Sequence, residues 1–372
     1  MASSAHKHHL HLPSPYGATA APPPTPSAQP NLLSTSDAAD SLSCLLHRLP
    51  PTLTLSLPSR RSSLSTATVP AVSPLISFSE PAETLRSNLL SACSQVGFFQ
   101  LTDHNIPSQL AHSAESESIS VFNLSREEKQ LQFPKIWPLG YDADDDDDES
   151  TSAAGESLCL DSTTRYADST ERNLSSLREF VGEMEKLGLK VIEALSSAFG
   201  FDNPAREDPN RVSSLMWISE GSSSRMYPYV VGLQYQIRCQ KYSLLADSGC
   251  VSVSPRVDSV LVTVGDIAQV WSNGKLKKVR GRALPSATAV DANNSNSNSI
   301  SMTLLVTLPL ESIVSPLLPN PEFAGGGDDD KVVDEEEEKE ERIFSSFSFE
   351  DYAWRVNHER LSFKDPLIRY RI

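Results

Sequence analysis

No histidine occurs between residues 113 and 357 of this chain: the eight are His6, His8, His9, His11, His47, His104, His112 and His358. A stretch that long without imidazole excludes, within it, any metal site or acid–base pair that needs a histidine. Cysteine is sparse as well. The five, Cys44, Cys93, Cys159, Cys239 and Cys250, are odd in number and never form a CxxC pair, which argues against a disulfide framework or zinc site and fits a reducing compartment. No apolar run is long enough to cross a membrane. No basic surface suits nucleic acid either, since the one short stripe, 275–282, sits in a chain of net charge −16. Acid is missing before Asp37, and the Ser-, Ala- and Pro-rich start MASSAHKHHLHLPSPYGATAAPPPTPSAQP has the composition of an organelle transit peptide or of a Pro-rich tail. A cytoplasmic location is expected, with the plastid as the alternative.

With 372 residues the chain can bury a sizeable core, but a hydrophobic fraction of 39% suggests that part of it is not packed. The negative charge is local. Residues 142–149 (DADDDDDE) carry seven acids, and 328–342 (DDDKVVDEEEEKEER) carry ten acids and three bases, together −14 of the −16. Such blocks are expected to be solvated, disordered insertions, a cationic partner being the alternative. Along the chain, SDAADSLSCLLHRL suggests a short amphipathic helix, VSPLISF a strand, ETLRSNLLSACSQV a helix burying Leu85, Leu89, Cys93 and Val96, and GFFQLTD a strand. Ser125 and Glu128 form a capping box. Leu177, Phe180, Val181, Met184, Leu187, Val191 and Leu195 recur at helical spacing up to Gly200.

From residue 212 the period falls to two. MWIS, RMYPYV, KYSLLA, CVSVS, DSVLVTVG, KLKKVRGR and ISMTLLVTLP are strand candidates separated by turn residues, the rhythm of a sandwich or barrel. GDIAQVWSNGKLKKVRGR is expected to form a strand, a tight Asn273-Gly274 turn and a second strand, with Val279 and Gly281 facing in and Lys278, Arg280 and Arg282 facing out. Asp266 is expected as a turn residue. SFEDYAWRVNHERL predicts a terminal helix capped from Ser348. The fold class is α+β, and the expected organisation is a tail over 1–70, a helical region over 71–210 containing the acidic insertion 142–149, a β-domain over 211–320, a second acidic insertion over 321–345, and a helix and tail over 346–372.

Four stretches carry a family likeness. GFFQLTDHNIP resembles the GFFxxxNHGI signature of the plant-type Fe(II)- and 2-oxoglutarate-dependent dioxygenases, which include gibberellin oxidases, aminocyclopropane-carboxylate oxidase and isopenicillin N synthase. SREEKQ resembles the segment after it, GDIAQVWSNGKLKKVRGR resembles GDxLQxWSNGxxxSxxHR, and ISMTLLVTLP resembles the RxSxxxFxxP strand. The resemblance implies a double-stranded β-helix, or jelly-roll, with a helical N-terminal region. It also implies Fe(II) held by an HxD pair and a later His, with 2-oxoglutarate held by an Arg and a Ser.

Placed residue by residue, those positions depart from the pattern. The later His falls on Gly281. In VGLQYQIRCQKYSLLAD, Gln236 stands for the first His and Arg238 for the Asp. Ser299 stands for the Arg and Ser301 matches the Ser, while Tyr227 matches a family Tyr that can hold the keto acid and is equally suited to the core. Arginine has no free lone pair for a metal, and glycine has no side chain. His104 and His358 are expected as packed or surface residues.

The expectation is therefore a degenerate relative, with no metal and no cofactor, kept for binding a small molecule or a protein. In one form Arg238 would bind a small carboxylate, aided by Ser301; otherwise it pairs with an acid such as Asp247. The alternative is an active oxygenase using Fe(II) and 2-oxoglutarate on a small plant metabolite or hormone through other ligands, or a faulty gene model near 225–240. Neither nucleic acid nor membrane is expected as a partner.

Overall fold

The computed structural model describes residues 69–70, 72–143, 155–162, 174–220, 226–247, 249–285, 300–317, 342–358 and 365–372. All of them lie within one compact unit, Arg61–Ile372. Most of both acidic blocks, the segment SDAADSLSCLLHRL and Ser299 lie outside the described residues. No helix among the described residues is long and apolar enough to cross a membrane.

Helix α1 (Ala82–Gln95) buries Leu89, Ala92 and Cys93, and strand β3 (Phe98–Thr102) follows it. Helix α2 (Ser108–Phe122) was not anticipated. Its inner face is made of Ala111, Ala114, Ser118 and Val121 around a buried Glu115, and small and polar residues give little apolar signal. The capping box is present: Ser125 and Glu128 each close on the other's backbone at the start of α3 (Arg126–Gln132). Helix α4 (Ser175–Phe199) buries all seven expected apolar residues and ends at Gly200 with φ of 70°, the left-handed conformation that glycine adopts without strain. Gly188 brings this helix onto the sheet, for a Cβ there would lie 2.6 Å from the Val306 side chain. Short α5 (Pro204–Glu207) leads to the β-rich half.

Eight strands form the major sheet, in the order β2 (Leu75–Ser77), β3, β10 (Val260–Val264), β7 (Val231–Tyr235), β12 (Ile300–Thr307), β6 (Ser213–Glu220), β5 (Glu156–Asp161), β4 (Gly140–Ala143). A minor sheet runs β1 (Val69–Pro70), β9 (Gly249–Val253), β8 (Tyr242–Ala246), β11 (Val279–Pro285). The major sheet crosses the boundary expected at 210, because β2 to β5 come from the first half of the chain. Strands β4 and β5 pair with each other, and the first acidic block begins inside β4, at Asp142. Its charge hides the short strand signal on either side.

Strand β10 is buried on both faces. Val260, Val262 and Val264 join α1, α2 and α4 in the larger apolar cluster, whereas Leu261 joins Phe98, Tyr242, Leu244, Val251, Val253 and Val279 in a second cluster between the sheets. Two sheets packed through alternating side chains, with helices covering the outer face of one, form the expected jelly-roll core in an α+β fold.

Four local expectations are corrected. DIAQVW is not a strand but helix α6 (Asp266–Trp271); Ile267, Val270 and Trp271 are all buried at helical spacing, and six residues are too few for the period to be decided from sequence. Asn273 (φ 49°) and Gly274 (φ 84°) do take positive φ, but they turn the chain after a helix rather than inside a hairpin. The described part of RMYPYV, residues 226–230, is a non-strand approach to β7 with Tyr227, Tyr229 and Val230 buried.

The fourth correction is Lys278. It is 0% exposed, whereas the alternation had placed it outward. The ladder begins only at Val279, so the parity does not extend to it. Its ammonium lies 2.5 Å from Asp365 Oδ1 and 3.3 Å from Asp266 Oδ1. Tyr352 of helix α7 (Phe349–His358) donates to Asp266 Oδ2 at 2.7 Å. Burial raises the Asp365 carboxyl, but the charge and hydrogen bond of Lys278 outweigh it and hold the group below the usual carboxylate range. These contacts clasp the C-terminal segment 365–372 to the turn before β11, and Phe347 stacks on Tyr370 at 4.2 Å beside them.

Candidate ligand site

The strand register places one row of polar side chains on the face of the major sheet that looks toward the minor sheet. Asp142 opposes Ser157, Ser157 opposes Ser219, and Ser219 opposes Ser301. Gln234 reaches the same row by donating from Nε2 to Ser301 Oγ at 3.0 Å. A second row holds Gly140, Cys159, Trp217 and Thr303. Leu304 opposes Leu233 and Leu305 opposes Gly232, so the next pair in that register is Thr303 with Gln234.

Gln236 continues β7 by one residue, its N–H bonded to the Ser259 carbonyl at 2.9 Å. It is 0% exposed. Its Nε2 donates to the Gln234 carbonyl at 3.0 Å, which leaves Oε1 without a partner, as are Gln234 Oε1 and Thr303 Oγ1. A buried polar atom left unpaired costs about 1–3 kcal/mol, so three in one patch mark a place where packing has not been optimised for stability alone.

Next to this patch lies a small cleft of about 20 Å³, room for about one water, lined by Trp137, Tyr227, Trp217, Cys159, Lys135 and Asn357, among others. Trp137 and Tyr227 rings are 6.0 Å apart, and Lys135 is tied to Asp142 at 2.7 Å. Burial pushes the Tyr227 phenol well above its ordinary range, so it stays neutral. Tyr227 therefore lines the cleft, whereas Ser301 belongs to the patch.

Arg238 does not enter the space between the sheets as a free cation. Its Nη2 donates to Glu115 Oε2 of α2 at 2.6 Å, with the arginine side chain 49% exposed and the glutamate 7%. Asp247 instead accepts from Gln269 Nε2 at 3.2 Å. Tyr242 lies close by, its phenol pushed up to about 12, first by burial, with the Arg238 charge pulling the other way.

Gly281 lies in β11 where the ladder to β8 loses register between Arg280 and Leu284. A residue the sequence had not singled out occupies the adjoining interior: Tyr229, 2% exposed, whose hydroxyl donates to the Val279 carbonyl at 3.0 Å and lies 3.2 Å from Thr263 Oγ1. Only its place in an aromatic, Pro-containing stretch ahead of a strand could have signalled it.

The histidines behave as expected. His104 Nδ1 accepts from the Ile106 N–H at 3.1 Å and Nε2 faces the Asp258 carbonyl at 3.2 Å, a bracket that fixes one tautomer. Burial lowers its pKa. Asn105 takes φ of 62°. His358 is exposed and stacks on Trp354 at 4.4 Å.

The residues at the expected ligand positions do not fit Fe(II). A facial iron site takes imidazole and carboxylate donors; Gln236 offers a neutral amide, Arg238 a cation already paired, and Gly281 no side chain. Among the described residues, no group of three or more His, Cys, Asp or Glu side chains could hold a metal ion.

Comparison with known proteins places this architecture. Residues 73–162 match the family model described as non-haem dioxygenase in morphine synthesis N-terminal. The chain is 25% identical over 213 residues to 1-aminocyclopropane-1-carboxylate oxidase of Persea americana, covering 52% of this chain and 66% of that protein. It is 23% identical over 276 residues to gibberellin 2-beta-dioxygenase 1 of Pisum sativum, covering 66% and 79%. Among solved structures, JOX2 in complex with 2OG, Fe and JA superposes with a TM-score of 0.60 at 14% identity, covering 82% of this chain and 91% of that one. The rice dioxygenase for auxin oxidation superposes at 0.57 with 18% identity, covering 81% and 100%. At those identities the structures establish the fold alone. The matched N-terminal model and the curated relatives make the chain similar to the plant-type Fe(II)- and 2-oxoglutarate-dependent dioxygenases.

Proposed function

We propose that this protein is a jelly-roll dioxygenase relative that binds a small molecule between its two sheets without iron or turnover. The observation that carries the reading is Arg238: where the family chemistry needs an anionic ligand, this chain has a guanidinium that bonds Glu115 at 2.6 Å. The neighbouring Gln236, tied by its amide to its own strand, supports the same reading, because a neutral amide does not replace an imidazole as an iron donor. Fold membership by itself does not decide activity. A carboxylate ligand at Arg238 would have to displace Glu115, which the short ion pair disfavours.

The test is anaerobic reconstitution of the full chain with Fe(II), followed by metal analysis and a 2-oxoglutarate turnover assay. The expected result is substoichiometric iron and no succinate above the protein-free control. Stoichiometric iron with succinate release would overturn the reading in favour of an active oxygenase with other ligands.

A further inference from the structure

We infer that Glu115 is an internal ligand of Arg238: helix α2 brings the chain's own carboxylate to a guanidinium that is otherwise a site for small monocarboxylates, and so keeps that site closed. The inference rests on the reading that this position runs no iron chemistry.

A buried charge needs a partner. The Glu115 side chain is 7% exposed, on a helix face otherwise formed by Ala111, Ala114, Ser118 and Val121, where an unpaired carboxylate would be costly. Its hydrogen-bond partner is Arg238 Nη2, 2.6 Å away and 123 positions along the chain. Arg238 lies in the link from β7 of the major sheet to β8 of the minor one. The pair therefore ties α2 to the connection between the two sheets.

Its two ends differ in access. The arginine side chain is 49% exposed, so solutes can reach the guanidinium, whereas the place of the carboxylate is enclosed. The buried Tyr242 lies within electrostatic reach of both charges. Guanidinium donors serve any carboxylate through the same charge-assisted bonds. What favours Glu115 over a solute is the tether, which sets an effective concentration on the order of millimolar or above.

Replacing Glu115 by alanine removes one methylene and the carboxylate, a fragment the size of acetate. Neighbours as short as Ala111, Ala114 and Ser118 cannot fall into the gap, so it stays open. Acetate then takes the place of the lost side chain.

Melting of the full chain near neutral pH, in sodium acetate and in sodium chloride of equal ionic strength, tests this. From chloride to acetate, Glu115→Ala should rise by about 2–4 °C more than wild type once acetate is near saturation. The excess should vanish when Arg238→Ala is added to Glu115→Ala, and in Glu115→Gln, whose amide refills the gap. Benzoate, too large, and acetamide, uncharged, should not produce it. No excess in Glu115→Ala overturns the inference, as does an excess that survives in the double variant or in Glu115→Gln, or one matched by benzoate or acetamide. Where Glu115→Ala does not fold unaided, the readout is recovery of folded chain on refolding in acetate against chloride, and equal recovery overturns the inference. Succinate release from iron-treated wild type reports only on the underlying reading.

Discussion

Lys278 and Gln236 are both completely buried, yet their surroundings treat them in opposite ways. The lysine is met by two carboxylates, Asp266 and Asp365, and by a tyrosine hydroxyl behind one of them. The glutamine keeps an unpaired oxygen beside two others. A buried charge without partners is intolerable to a fold, whereas a buried amide oxygen without one is merely costly. Charge has therefore been concentrated where the C-terminal segment must be held, and the interior patch around Gln236 has been left neutral and incompletely satisfied.

The comparison breaks most visibly at the lysine. Lys278→Ala leaves the buried Asp266 carboxylate without its cation and the partly exposed Asp365 with Arg371 alone at 3.8 Å, and breaking a buried pair in this way costs about 3–5 kcal/mol. Urea denaturation should show that loss, together with early proteolysis of the C-terminal segment. A loss below about 1 kcal/mol would mean that the clasp is not what holds 365–372, and that Lys278 and Gln236 do not differ as argued.

Acid should weaken the same clasp more gently. The folded Asp365 carboxyl is held below the usual carboxylate range, with burial opposing and the Lys278 charge and hydrogen bond prevailing. A depressed carboxylate contributes stability that is present above its unfolded pKa and lost as pH falls through the folded one. The stability difference between wild type and Asp365→Asn should thus be constant near neutrality and shrink below about pH 4. A difference that stays unchanged down to pH 2 would remove Asp365 from the account. The neutral patch should show no such dependence.

Much of the fold was legible because the likeness and the periodicity agreed. The seven apolar residues of α4, the Ser125 to Glu128 box and the alternation in β8 and β9 all use local signals that tertiary structure had no reason to override. What was missed lay where long-range contact decides. Helix α2 has a face of alanine and serine around one glutamate; its role as the partner of Arg238 depends on a residue 123 positions away. Asp266 looked like a turn residue because its partners, Lys278, Tyr352 and the Asp365 cluster, arrive from later elements. Lys278 was placed outward by extending a strand parity one residue beyond the strand. Of the candidate site, Tyr227 and Ser301 were legible through the family likeness. Gln234, Thr303 and Tyr229 were not, since a polar residue in a strand announces its face only when the register is known.

Arg238 and Glu115 fall between the two extremes and give the smallest expected effect. The guanidinium is 49% exposed while the carboxylate is 7% exposed, so water screens one end of the pair and the protein encloses the other. Screening at the exposed end limits the loss in Arg238→Ala to about 1 kcal/mol. Glu115→Gln should cost less still, because the amide can remain hydrogen-bonded to the arginine. Titration with 2-oxoglutarate should shift the melting of wild type and Arg238→Ala equally, since the guanidinium is engaged by Glu115. A destabilisation as large as that of Lys278→Ala would place Glu115 among the dependent buried charges. A 2-oxoglutarate shift lost only in Arg238→Ala would make the arginine a ligand group, and the neutral patch would then adjoin a carboxylate site that opens when Glu115 is displaced.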